Sequence, residues 1–179
     1  MERYKNKYRI EPARLKNWDY GSHGLYFITI CTKDRECYFG DIIPVETHNY
    51  ASLRPTAIGN IAYKFWKEIP KHFPFVVLDV FVIMPNHIHG ILFFNKPNYD
   101  EWTLNKFGPQ SQNLASVIRA YKSSVKRQAN INKITFEWQS RYYDHIIKSE
   151  KDLYTIRKYI YDNPEKWNED RNNVENLMM

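Results

Sequence analysis

The sequence predicts an α+β protein built around one antiparallel β-sheet. Short runs rich in β-branched and aromatic residues alternate with longer segments in which apolar residues recur every three or four positions. Only 6 of the 179 residues are glycine, which favours regular elements over long loops. With 43% hydrophobic and 16% aromatic residues, the chain has enough apolar material for one compact core.

The first half of the chain predicts a strand, a loop and a helix. Leu25–Thr32 is a strand because it is dominated by aromatic and β-branched residues. After a polar turn, Cys37–Ile42 can pair back on it as a short hairpin, and Ile43–Pro55 has the composition of a loop. Thr56 is placed to cap a helix. The apolar stripe of that helix consists of Ile58, Ile61, Phe65 and Ile69.

Two strands and a second helix follow. Phe75–Met84 is apolar and β-branched, a Pro-Asn pair punctuates it, and His87–Asn95 continues as another strand. The polar segment Lys96–Gln112 is predicted to be a loop. Asn113 is suited to cap the helix that runs to Asn130. The apolar stripe of this helix consists of Leu114, Val117, Tyr121 and Val125.

The last strand covers Tyr142–Lys148, and a third helix runs from Ser149 to Asn163, just before a proline. The order β-α-β-β-α-β is that of the ferredoxin-like split arrangement, here with an extra C-terminal helix. Its antiparallel sheet carries both inner helices on one face, which leaves the other face free for a partner or for chemistry. We expect a basic arm (1–24), one domain (25–167) and a frayed polar tail (168–179).

The bulk properties favour a polyanionic partner. A formal charge of +6 and a pI of about 9.2, with many aromatic residues, make nucleic acid the preferred partner over a merely basic surface. Cys31 and Cys37 do not form a CxxC motif, so neither a disulfide scaffold nor a cysteine zinc site is expected. We find no signal peptide and no apolar run near the ~18 residues of a membrane span. A cytoplasmic protein without a membrane partner is therefore expected.

A histidine pair interrupts the apolar run "VIMPNHIHGILFF" (Val82–Phe94). Because strand side chains alternate, His87 and His89 point to the same face at a spacing that can chelate one metal ion. The alternative is a pair of buried, hydrogen-bonded histidines. Imidazoles alone suit zinc, copper or nickel, whereas an open site that also takes substrate oxygens suits a divalent ion acting on phosphate.

The second predicted helix offers a nucleophile. Tyr121 lies among cations that can bind phosphate and favour a phenolate, although an aromatic residue in this apolar stripe usually belongs to a core. Gln128 is a candidate polar metal ligand on the same helix. Tyr142 and Tyr143 are rival tyrosines. A further histidine in that last strand, His145, is either a third ligand or, as we favour, a packed strand residue.

These residues together resemble a known family. "FVIMPNHIHGIL", "VIRAYKSSVKR" and "WQSRYYDHIIKSEKDLYTIRKYIYDNPEKW" are similar to the single-tyrosine HUH transposases, in particular the REP-associated tyrosine transposases. The resemblance covers roughly Arg14–Trp167, nearly the whole chain. It implies a ferredoxin-like protein, often a homodimer, that cleaves and rejoins single-stranded or hairpin DNA through a 5′-phosphotyrosine.

The resemblance also implies roles for individual residues. His87 and His89 would hold Mg²⁺ or Mn²⁺, with Gln128 as third ligand and Asn130 as its alternative. In many relatives the helix tyrosine falls at the position of Val125, and here Tyr121 lies one turn earlier on the same face. The cations expected to bind DNA are Arg14, Lys16, Arg119, Lys122, Lys126 and Arg127.

Two other functions remain open. The first is a DNA-binding protein of the same fold that has lost cleavage because Val125 replaced the nucleophile. The second is an RNA-binding ferredoxin-like domain, which needs paired strand aromatics that "GLYFITI" matches poorly.

Overall fold

The structure is a computed structural model that describes residues 3–4, 7–8, 15, 18–45, 50–98 and 111–173. The strands are β1 (Arg3–Tyr4), β2 (Lys7–Tyr8), β3 (Gly24–Cys31), β4 (Gly40–Val45), β5 (Tyr50–Pro55), β6 (Val76–Met84), β7 (His87–Phe94) and β8 (Tyr143–Ile147). The α-helices are α1 (Ala57–His72), α2 (Leu114–Ile131) and α3 (Glu150–Asp162). Short 3₁₀ turns lie at Lys33–Arg35 and Trp167–Glu169.

The central sheet has four strands in the order β6-β7-β3-β8, and every neighbouring pair is antiparallel. The strand β7 therefore lies between β3 and β6, the two strands that α1 connects. This is the split β-α-β-β-α-β arrangement with antiparallel pairing, so the predicted fold is confirmed.

The segment Ile43–Pro55, predicted as a loop before α1, instead contains the end of β4 and all of β5, which form a two-stranded ribbon. The strand β4 pairs with β5, from Gly40 opposite Pro55 to Val45 opposite Tyr50. Residues from the predicted hairpin partner thus pair with β5 and not with the first strand of the sheet. Prolines in both strands weakened the strand signal, yet proline is tolerated in a ribbon whose edges are free.

Helices α1 and α2 pack on one face of the central sheet and enclose the main core. Thr56 accepts a hydrogen bond from the Gly59 N–H, and Asn113 accepts one from the Ser116 N–H, so both predicted caps are confirmed. The largest fully buried side chain in this core is Trp66 of α1. Burial on this face is what stabilises the two helices.

Helix α3 packs on the opposite face of the sheet, the face predicted to be free. Its Ile160 is buried in a second, smaller core with Phe27, Ile91 and Ile147 of the sheet. At the edge strand β6, the Arg157 guanidinium donates two hydrogen bonds to the Asp79 carboxylate. The C-terminal helix therefore covers the sheet face to which the histidines belong.

Gly90 explains how closely α1 approaches the sheet. A Cβ atom built on Gly90 would lie 2.4 Å from Cζ2 of Trp66 and 3.0 Å from Cβ of Phe81. The missing side chain thus makes room for the indole on the helix side, away from the histidine face. None of the helices in the described part of the chain is both long and apolar enough to cross a membrane.

Replacement of Gly90 by alanine should destabilise the protein. The added methyl group must displace the buried Trp66 ring, and overpacking of this kind costs about 1–3 kcal/mol. Urea denaturation measures the change, with Ser123→Ala on the exposed side of α2 as the control. An unchanged midpoint for Gly90→Ala would contradict the packing described here.

Candidate active site

His87 and His89 lie side by side on the sheet face covered by α3. Their ring centroids are 4.4 Å apart at an interplanar angle of 67°. Both side chains are fully buried. Between them, Ile88 points into the main core on the other face, as the alternation of a strand requires. The predicted common face of the two imidazoles is therefore present in the structure.

The Nδ1 of each imidazole lies within hydrogen-bond distance of a neighbouring polar side chain. The Nδ1 of His87 is 2.8 Å from Oδ1 of Asn86, and the Nδ1 of His89 is 2.9 Å from the Thr29 hydroxyl. The Nε2 of His89 is 3.1 Å from the Tyr159 hydroxyl. The Nε2 of His87 is buried and has no hydrogen-bond partner. An unsatisfied buried nitrogen is costly, so this atom marks a position where a ligand would be favourable.

Both rings are neutral near pH 7. Burial, together with the nearby positive charge of Arg35, lowers the pKa of His87 to about 3, although Asn163 opposes the shift. Burial also lowers the pKa of His89 well below its usual range, with His87 adding to the effect. Neutral imidazole is the form that ligates a metal ion.

Asp170 brings a carboxylate to the histidines. Its Oδ2 is 3.8 Å from the Nε2 of His87, and one possible ligand atom from each of His87, His89 and Asp170 lies within 4.8 Å of the others. Because His87 is neutral, this contact is not a salt bridge. Two imidazoles and a carboxylate form a donor set that fits a divalent ion.

The segment after α3 holds Asp170 in place. Asn163 donates to Oδ2 of Asp170 at 3.0 Å, and the backbone N–H of Asn172 donates to its Oδ1 at 2.6 Å. The Oδ1 of Asn163 is buried and has no hydrogen-bond partner. Asp170, Asn172 and Asn173 are buried, although they belong to the tail that the sequence predicts to be frayed. Their side chains and backbone find partners in the domain, which explains why polar residues are ordered here.

Tyr159 is the tyrosine that the fold brings to the histidines. It lies on α3, four residues before Asn163 and therefore on the same helix face. Burial raises the pKa of its phenol, and Asp170 adds to that effect. Its ring contacts that of His89 at a centroid distance of 5.1 Å. Tyr159 thus places a phenol oxygen in direct contact with one of the histidines.

A cavity of about 470 Å³ adjoins this cluster. Its walls include the rings of Tyr143 and Tyr159, the Asp170 carboxylate, and the cations Lys166 and Arg171. Aromatic rings beside cations can accommodate a nucleotide by stacking and phosphate contact. The cavity therefore provides room for a ligand next to the donor set.

Within one chain, the structure does not bring Tyr121, the nucleophile expected from the sequence, to the histidines. Tyr121 faces the core between α1, α2 and the sheet, on the opposite side of the sheet from His89. Its hydroxyl donates a hydrogen bond to the Ala62 carbonyl at 3.0 Å, and burial raises its pKa well above the usual range. Val125 is fully buried in the same core. A tyrosine at either helix position would point away from the histidines.

The third ligands expected from the sequence also lie away from the histidines within one chain. Gln128 lies on α2 and donates to Oδ1 of Asn132 at 3.0 Å, and Asn130 is on the same helix on the far side of the sheet. His145 shares a hydrogen bond with the Asp152 carboxylate at 3.0 Å. The latter contact agrees with the preferred interpretation of His145 as a packed strand residue.

The cations expected to bind DNA fall into two groups. Lys122 donates to the Gln139 carbonyl and Lys126 to the Phe136 carbonyl, both at 2.5 Å, so these two ammonium groups support a neighbouring loop. Arg119 and Arg127 are exposed on α2. The two cations of the basic arm, Arg14 and Lys16, lie outside the described residues.

Tyr142 and Tyr143, the alternatives to Tyr121 as nucleophile, differ in position. Tyr142 packs against the main core, whereas Tyr143 is 50% exposed and lines the cavity together with Tyr159. Tyr143 is paired in register with Thr29 of β3, which carries it to the histidine face. It is therefore a cavity residue with no bond to either imidazole among the described contacts.

Sequence reasoning missed Tyr159, Asp170, Asn86 and Thr29. For Tyr159 a signal existed, because its spacing from Asn163 places two polar groups on one helix face. For Asp170 and Thr29 no local pattern existed, since both reach the histidines through tertiary contacts.

No protein-family model matches the chain. It is 40% identical over 167 residues to an uncharacterized protein of Haemophilus influenzae, covering 88% of this chain and 89% of that protein. It is 29% identical over 153 residues to another Haemophilus influenzae protein, assigned as a REP-associated tyrosine transposase. This match covers 83% of this chain and 74% of that protein. A solved REP-associated tyrosine transposase bound to a REP hairpin is similar with a TM-score of 0.56 and 19% identity, covering 93% of this chain and 74% of that one. That likeness demonstrates a shared fold.

Tyr121→Phe should lower stability without removing the candidate active site. The change deletes the buried hydrogen bond to Ala62, and such a bond contributes about 0.5–1.5 kcal/mol. Thermal or urea denaturation measures the loss, with Tyr154→Phe as the control because Tyr154 is 70% exposed. Equal stabilities of the two variants would contradict the structural role given to Tyr121.

Proposed function

Because the chain is similar to REP-associated tyrosine transposases in sequence and in fold, we propose that it is a member of this family that cleaves and rejoins single-stranded or hairpin-tipped DNA. In this proposal Tyr159 is the nucleophile, and His87, His89 and Asp170 hold Mg²⁺ or Mn²⁺. The similarity supports a transposase-like DNA-binding role. The tyrosine, the ion ligands and the form of the DNA are the parts that we add.

The contact between Tyr159 and His89 carries this proposal. A phenol oxygen lies 3.1 Å from an imidazole nitrogen, and that imidazole belongs to a buried group of three possible ligands. Nucleophilic catalysis requires this kind of proximity between the attacking oxygen and the group that orients the phosphate. Tyr121 has no comparable access, because its hydroxyl is enclosed on the other side of the sheet.

The proposed step exchanges one phosphate ester for another. The Tyr159 oxygen forms a bond to phosphorus, and the bond from phosphorus to the 3′ oxygen of the preceding nucleotide breaks. The phenol proton passes to water, and the departing oxygen takes a proton from water. The products are a 5′-phosphotyrosine and a free 3′-hydroxyl, so a DNA 3′-hydroxyl can reverse the step without an outside source of energy.

The residues present fit a divalent ion. His87 offers a neutral imidazole with an unpartnered buried nitrogen, and Asp170 offers an oxygen 3.8 Å from it. When bound, such an ion neutralises charge on the scissile phosphate and orients it. The Nε2 of His89 has one lone pair, so Tyr159 must release this nitrogen before it can act as a ligand. The same release frees the phenol oxygen for attack.

Cations near the site suit a phosphodiester substrate. Arg35 and Arg171 lie close enough to depress the pKa of His87, and Lys166 lines the adjoining cavity. Together with exposed Arg119 and Arg127 they would contact DNA phosphates, so binding should weaken as salt increases. A homodimer, as expected from the family, is not needed to assemble the site, since all its groups come from one chain.

A DNA-binding protein without cleavage is the alternative. The sequence argument for it depended on Val125 occupying the position of the nucleophile. If Tyr159 is the nucleophile, as we propose from its contact with His89, the residue at position 125 is not an argument against cleavage. Tight hairpin binding without any covalent product would restore this alternative, and preference for RNA over DNA of equal sequence would favour the RNA-binding one.

Tyr159→Phe should abolish the covalent protein–DNA product, because phenylalanine has no oxygen nucleophile. The measurement is a denaturing gel after incubation with Mn²⁺ and a hairpin DNA labelled at its 3′ end, which stays on the protein. Tyr121→Phe is the matched control and should keep most of the product. Product formation by Tyr159→Phe would exclude Tyr159 as the nucleophile and direct attention to Tyr143.

Asp170→Asn should weaken Mn²⁺ binding by at least about tenfold, because a neutral amide replaces an anionic oxygen ligand. Titration calorimetry on metal-stripped protein measures the affinity. The neighbouring Glu169→Gln is the control, since Glu169 is exposed and lies outside the group of three ligands. Equal affinity of both variants would remove Asp170 from the proposed ligand set.

A further inference from the structure

The orientation of the buried Asn86 side chain follows from its hydrogen bonds. Its Nδ2 donates to the Arg35 carbonyl at 2.9 Å and to the Asn172 carbonyl at 2.7 Å. An amide nitrogen has two hydrogens, and both are used here. A flipped amide would place Oδ1 against two carbonyl oxygens, so Oδ1 must face His87.

The protonation of the His87 ring follows in turn. Oδ1 of Asn86 can only accept, and it lies 2.8 Å from the Nδ1 of His87. The Nδ1 therefore carries the hydrogen of the neutral ring. The Nε2, which lies toward Asp170, must then present a bare lone pair.

Thr29 lies beside the Nδ1 of His89, as Asn86 lies beside the Nδ1 of His87. It lies on β3 directly opposite His89 in the register, and its hydroxyl is 2.9 Å from the Nδ1. On the other side of the ring, the Tyr159 phenol approaches the Nε2. A phenol is a better donor than an aliphatic alcohol, which favours a Thr29 hydroxyl that accepts from Nδ1 and a Tyr159 hydroxyl that donates to Nε2.

We infer that Asn86 and Thr29 are positioning residues that keep a hydrogen on the Nδ1 of His87 and His89, so that both Nε2 lone pairs converge on one point. This inference rests on the proposed metal-assisted function. Asn86 has a second task, because its bond to the Asn172 carbonyl fixes the segment that carries Asp170. One side chain thereby aligns ligands from β7 and from the segment after α3.

The ring tautomers can be observed directly. Long-range ¹H–¹⁵N NMR spectra of histidine-labelled, metal-stripped protein distinguish a ring with hydrogen on Nδ1 from one with hydrogen on Nε2. We expect the Nδ1–H form for His87 and His89 in the wild type. Thr29→Val should shift His89 toward the Nε2–H form, and Thr29→Ser should restore the wild-type pattern because it keeps the hydroxyl.

Mn²⁺ affinity provides the second readout. Thr29→Val should bind Mn²⁺ more weakly, on the order of 10–100-fold, as expected for loss of a group that orients a ligand. Thr29→Ser should stay within about threefold of wild type, and Thr155→Val on the exposed side of α3 is the control. Urea denaturation of each variant separates an effect on the fold from an effect on the ring.

The two proposals fail in different ways. An Nε2–H ring at either histidine in the wild type, or an unchanged His89 ring and Mn²⁺ affinity in Thr29→Val, would overturn the positioning role. Wild-type protein with both rings in the Nδ1–H form but with no Mn²⁺ binding would overturn the metal-assisted function and leave the tautomer assignment in place. Should Thr29→Val fail to fold, the wild-type spectrum alone still decides the tautomers.

Discussion

The alternation of side chains along β7 determines which parts of the chain can take part in chemistry. Ile88 and Gly90 point toward α1 and α2, where the Trp66 ring fills the space that Gly90 leaves open. His87 and His89 must therefore point to the other face. Among the described residues, α3 and the segment that follows it cover that face beside the histidines, and they carry the proposed nucleophile, Tyr159, and the proposed third ligand, Asp170.

Burial gives the histidine pair its chemical character. Desolvation keeps both rings neutral, and the unpartnered nitrogen of His87 and the carboxylate of Asp170 face each other across 3.8 Å. This arrangement has a cost in the absence of a ligand, because buried polar atoms without partners destabilise a fold. A cation bound between them would offset that cost and couple the stability of the site to ion concentration. Structure and proposed function thus depend on the same few atoms.

The sequence predicted the elements better than it predicted the site. Period-two alternation was sufficient to place His87 and His89 on one face, because that relation is local. Helix periodicity could not show that Tyr121 lies across the sheet from the histidines, because it shows which residues share a face but not which side of the sheet that face contacts. Asp170 could not be found from a pattern, since it reaches His87 only after the chain leaves α3 and turns back over the sheet. Long-range placement of this kind is decided by packing.

Identification of the tyrosine that becomes linked to DNA distinguishes Tyr159 from the other tyrosines. After reaction with hairpin DNA and Mn²⁺, nuclease trimming and trypsin digestion leave a peptide that carries the phosphonucleotide, and mass spectrometry locates it. Trypsin separates the candidates, because Tyr121 falls in one peptide, Tyr142 and Tyr143 in another, and Tyr159 and Tyr161 in a third. We expect the adduct on Tyr159, with fragmentation excluding Tyr161. An adduct on Tyr121 would exclude Tyr159 as the nucleophile, since the Tyr121 oxygen lies across the sheet from the histidines.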